Sequence, residues 1–117
     1  MEQWEFDFKW LKVRHFVKEC FNKEALPDLN AILFVIGLQE LGFWAKKITK
    51  EDKEALMHIA VCTLLSKRGY FKFEGRDEDG WPHWKPLKKI DISGVEGQKR
   101  ILQEEVIDYF SNFDEEE

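Results

Sequence analysis

Residues 31–45 read AILFVIGLQELGFWA, and thirteen of these fifteen are apolar or glycine. Pro27 and Asp28 precede the run and Lys46 and Lys47 follow it. That leaves room for about three to four helical turns, short of the roughly 20 apolar residues of a membrane span. A buried helix starting near Pro27 is expected. Its polar residues, Gln39 and Glu40, do not suit it. At about 100° per residue, the arc from Gln39 to Glu40 also holds Ile32, Ile36 and Phe43. Either Gln39 or Glu40 is buried and hydrogen-bonded, or Ile32, Ile36 and Phe43 form an exposed strip that seeks a partner surface. Gly37 and Gly42 each cost about 0.8–1 kcal/mol against alanine inside a helix. They either admit another backbone closely or relieve crowding beside Phe34, Phe43 and Trp44, the second being the plainer expectation.

The chain around this run is of single-domain size at 117 residues, and 44% of them are hydrophobic, enough to bury a core. One domain, residues 1–117, is expected. With 18 basic and 23 acidic side chains the net charge is −5, so there is no overall attraction to phosphate, and neither nucleic acid nor membrane is an expected partner. The opening MEQWEFDFKW mixes acids with aromatics where a signal peptide needs a basic and then an apolar segment, so a cytoplasmic location is expected. Cys20 and Cys62 sit at apolar helix positions and read as buried free thiols.

Upstream, Trp4, Phe6, Phe8 and Trp10 alternate with charges, as in a strand. From Trp10 onward Val13, Val17, Cys20 and Phe21 recur at helical spacing. The reading is a helix over about residues 8–22 with Asp7 as a possible N-cap, and a strand over residues 3–9 as the alternative. Downstream, Thr49 with Glu51 and Asp52 opens a third helix, and Lys67, Arg68 and Gly69 close it. Between them ALMHIAVCTLL, residues 55–65, is apolar on every face except at His58. This helix is expected to pack on the one at 27–44, with the first helix covering both.

Residues 70–74 then switch to strand alternation. Gly75 and Gly80 bracket the tip Arg76-Asp77-Glu78-Asp79, and residues 81–87 return as an irregular strand, because Pro82 and Pro86 cannot donate to a ladder. Ser93 and Glu96 have capping-box spacing and start a last helix over about 94–112, ahead of an acidic tail. The fold class expected is α+β, mainly α: four helices with a β-hairpin between the third and fourth.

The segments FVIGLQELG (34–42), LMHIAVCTLLSKRGYF (56–71) and GRDEDGWPHWKPL (75–87) resemble a small family of conserved bacterial proteins without an assigned function. The resemblance covers almost the whole chain and carries no activity, cofactor or site. At the level of fold, a helix, a turn, a second helix and a two-stranded wing over residues 27–90 resemble a winged helix. The second helix is apolar throughout and the wing tip is acidic, so DNA binding does not follow from that order.

Two constellations carry chemistry. His58 and Cys62 lie four apart on one helix face, with Glu40 on the facing helix and His83 as a fourth ligand of a candidate zinc site; a hydrogen-bonded polar pair is the plainer reading. Trp81 and Trp84 on the hairpin, beside Asp77, Asp79 and His83, suit a contact surface, or else fold back as core. Calcium is not expected at the tip, because no bidentate acid stands at the required spacing. With no phosphate loop and no activated nucleophile, the chain reads as a non-enzymatic protein interaction module or homodimer, without a cofactor. Its candidate surface is Ile32, Ile36, Phe43, Trp81 and Trp84. The alternative is a small metal- or ligand-binding enzyme centred on Glu40, His58 and His83.

Overall fold

A computed structural model describes residues 2–22, 24–42, 47–89 and 94–114. The order is α1 (Gln3–Cys20), α2 (Leu29–Leu41), α3 (Lys50–Ser66), β1 (Phe71–Arg76), β2 (Pro82–Pro86) and α4 (Val95–Asp114). The expected class, four helices with an antiparallel hairpin between the third and fourth, is what the chain forms. None of these helices is long and apolar enough to cross a membrane. The chain divides into two compact units, residues 1–32 with 93–117 and residues 33–92, and the boundary falls inside α2.

In the first unit α1 starts five residues before the expected position, at Gln3 rather than residue 8. The strand alternative for residues 3–9 is therefore overturned, and Asp7 is an interior residue rather than the cap. The alternation arose because α1 carries two opposed apolar stripes. Phe6, Val13 and Val17 lie on one and are buried, while Trp4, Phe8 and Leu11 lie on the other and are exposed. Sampled over a few residues, two interleaved helical stripes look like a strand. The buried stripe packs with Ile101, Val106 and Phe110 of α4, and the Phe16 and Phe110 ring centroids are 5.7 Å apart. Arg100 of α4 fixes the start of α1. Its guanidinium lies 3.6 Å from the centre of the Phe6 ring, and its Nη1 donates to Gln3 Oε1 at 3.1 Å. Cys20, expected to be buried, is exposed, because it lies in the last turn beyond the α4-facing residues; Cys62 is buried, and both thiols are free.

Pro27 lies two residues before α2 rather than at its start. Asp28 is the cap, its Oδ1 accepting from the Ala31 N–H at 2.9 Å. Gly42 ends the helix with φ +84°, a conformation that glycine takes without steric cost. Phe43, Trp44 and Ser93, with the capping box expected at Ser93, lie outside the described residues.

In the second unit α2 and α3 touch backbone to backbone at Gly37. A Cβ built on Gly37 would stand 2.0 Å from the Leu56 carbonyl oxygen, so this glycine serves close approach and not, as expected, the relief of crowding. Leu41, Leu56 and Ile59 are buried together, with Phe34, Leu38 and Trp81 packed around them. At the start of α3, Thr49 and Asp52 form a reciprocal capping box. At its end the Tyr70 N–H reaches back to Leu65 O at 3.2 Å and that of Gly69, at φ +81°, to Ser66 O at 3.1 Å. β1 runs two residues further than expected, to Arg76, because the register slips between Phe73 and Gly75 and lets the pairing continue.

Candidate functional site

Ile32 and Ile36, expected on an exposed strip, are wholly buried at 0% exposure. Gln39 is nevertheless exposed and Glu40 half-buried. The two requirements are compatible because a helix face need not be covered along its whole length. Gln39 and Glu40 lie about 4.5–6 Å further along the axis than Ile36, in the last turn. Ile32 and Ile36 of the candidate surface are therefore corrected to core, while Phe43 lies outside the described residues.

That last turn is held by the hairpin. Arg76 Nη1 donates to Leu41 O at 3.0 Å and to Gly80 O at 2.8 Å, and its Nη2 donates to Glu40 O at 2.6 Å. One forked cation thus satisfies the terminal carbonyls of α2, at the negative end of its dipole, together with the hairpin turn. The tip is tied by Asp77. Its Oδ1 accepts from the N–H groups of Asp79 and Trp81 at 2.9 and 3.0 Å, and its Oδ2 lies 2.8 Å from His83 Nε2. The bond to His83 first, and then that to Trp81, hold the Asp77 carboxyl below its ordinary range. Asp77 and His83 therefore serve the turn.

Glu40, Ile59, Thr63, Phe73, Pro82 and Trp84, with Arg76, line a cleft of about 330 Å³. Phe73 and Trp84 are cross-strand partners with ring centroids 5.2 Å apart. The Trp84 Nε1 donor is buried without an acceptor, but because no solvent reaches it, a ligand in the cleft meets it only if the ring moves. Thr63 Oγ1 is taken by Ile59 O at 2.8 Å. Trp81 is half-buried on the α2–α3 core, whereas Phe73, not singled out from sequence, is the exposed aromatic of the hairpin.

The zinc constellation does not assemble. His58 is exposed with its Nε2 3.5 Å from Cys62 Sγ, while His83 is paired with Asp77. Among the described residues no three His, Cys, Asp or Glu side chains stand close enough to hold a metal. Burial raises the Cys62 thiol from 9.0 to about 11, away from the thiolate that an activated nucleophile needs.

Among the described residues, α1 carries three exposed large hydrophobic side chains on one face. Trp4, Phe8 and Leu11 are 69%, 65% and 43% exposed, and His15 continues their line on the same face. Spacings of four, three and four residues make this a seam with the 3.5-residue period of a coiled coil. The available signal was the same aromatic alternation that suggested a strand; read at helical spacing it marks two faces instead of one. No protein-family model matches the chain, and neither does any curated protein or solved structure.

Proposed function

We propose that this chain is a non-enzymatic protein interaction module whose contact face is the outward seam of α1. The observation that carries this reading is the exposure of Trp4, Phe8 and Leu11 in one line, opposite the helix face that its own fold buries. Tryptophan and phenylalanine on a rigid helix supply large contact area at small entropic cost, and a continuous apolar strip on water is the usual mark of a surface that is covered in use. The cleft beside Glu40 offers no matched acid, base and nucleophile, and Cys62 is held as a thiol.

A photo-crosslinking side chain placed at position 8 tests the reading in cells, with the same group at exposed Lys99 as the control. A discrete protein adduct at position 8 and none at 99 is expected. Adducts absent from position 8 while position 73 yields one move the surface to the hairpin. Absence at both positions ends the interaction reading.

A further inference from the structure

The α1 seam also specifies its occupant, and we infer that it is α1 of a second copy of this chain, laid antiparallel. This rests on the interaction reading above and names its partner. In heptad terms Trp4 and Leu11 take d positions and Phe8 and His15 take a positions, while Phe6, Val13 and Val17 fall on the far side and are buried in the chain's own fold. An antiparallel pair stacks a against d. Trp4 then faces His15 of the other copy, and Phe8 faces Leu11, each pairing occurring twice about the dyad.

The flanks choose the same arrangement by charge. Glu5 and Lys12 lie along one edge of the seam, and Asp7 and Arg14 along the other. In the antiparallel register Glu5 lies against Lys12 of the other copy and Asp7 against Arg14, so all four contacts across the dyad join opposite charges. Arg14 is held at this edge by its Nε–H, which donates to Pro27 O at 2.9 Å, and among the described residues its two terminal amino groups meet no acceptor that would compete with a carboxylate. Glu5 meets Lys9 of its own helix at 3.2 Å on the surface, a contact weak enough to be shared. A parallel pair instead puts two Lys18 side chains face to face in the seam and gives Glu5 no partner. The antiparallel pair also sets the helix dipoles in opposition.

The three apolar side chains offer on the order of 350 Å² per copy, below the roughly 800 Å² of a standard interface. A weak, concentration-dependent dimer is expected, with a dissociation constant on the order of tens of micromolar.

Sedimentation of the full chain from about 5 to 500 µM, a range that brackets that affinity, tests the inference with three variants. Wild type passes from monomer to dimer. Phe8→Glu stays monomeric with unchanged helical circular dichroism, which separates lost association from lost folding. Glu5→Lys and Lys12→Glu each self-associate about ten-fold more weakly, and an equimolar mixture of the two recovers the wild-type affinity. A wild type that stays monomeric throughout overturns the self-pairing, and the in-cell adduct at position 8 then tells whether another protein takes the seam. A dimer that Phe8→Glu abolishes but the mixture fails to rescue overturns the antiparallel register.

Discussion

Helices α1 and α2 both carry large apolar residues on more than one face, yet the chain treats them differently. On α2, Ile32 and Ile36 are sealed from solvent, while on α1 Trp4 and Phe8 remain mostly exposed. The difference lies in what separates the apolar residues. In α2 the run from Ala31 to Leu38 contains no charge, so any exposed face adds directly to its neighbours and burial is the only low-energy outcome. In α1 Glu5, Asp7, Lys9 and Lys12 flank the outward aromatics and confine them to a narrow line that water tolerates until a partner covers it.

The sharpest way to break this comparison is to place a polar side chain on each helix, charged on α2 and neutral on α1. Ile36→Asp buries an unpaired carboxylate and should cost about 4 kcal/mol or more, enough to lose the cooperative urea transition. Gly37→Ala tests the same packing without charge. The added methyl meets the Leu56 carbonyl, α2 and α3 must part, and about 2–3 kcal/mol should be lost in chemical denaturation. Arg76→Ala removes the fork joining the end of α2 to the hairpin and should cost about 1–2 kcal/mol in the same assay. Arg76→Lys should recover less than half of that, since a single ammonium does not span both carbonyls.

Smaller still is the contribution of Asp77. Its folded-state carboxyl lies below the ordinary value of 3.8, so the stabilisation is complete above that value and is lost as pH falls through the lower folded one. Hairpin amide protection followed by NMR should therefore weaken on acidification below about pH 4. In Asp77→Asn this acid-dependent step should disappear. The smallest effect is expected at the exposed seam. Phe8→Ser should change the stability of the dilute monomer by no more than about 0.5 kcal/mol, against the loss expected for Ile36→Asp. A large loss at Phe8 would show that α1 already uses this face within its own fold.

Much of the fold was legible because local chemistry points one way at the element ends. Thr49 with Asp52, and Gly69 after Ser66, bound α3 in the structure as their residue types require. Gly75 and Gly80 likewise announced the hairpin. The functional surface was less legible. Helical spacing groups Ile32 and Ile36 with Gln39 and Glu40 on one arc, but the arc is covered at its first turns and open at its last, a variation along the axis that angular position does not contain. The candidate metal set failed for a similar reason. Spacing brings His58 to Cys62, whereas the partner of His83 depends on how the turn closes over Asp77.

By itself the sequence determined that four helices flank a hairpin and where α3 begins and ends, though not that α1 reaches back to Gln3, because capping groups, glycines and apolar periodicity act within a few residues of one another. Only the tertiary structure decided which of the apolar faces is spent inside. That choice depends on what arrives from distant parts of the chain: the Leu56 backbone against Gly37, the Arg76 fork on the last carbonyls of α2, and α4 against the Phe6 side of α1, which leaves Trp4, Phe8 and Leu11 outward.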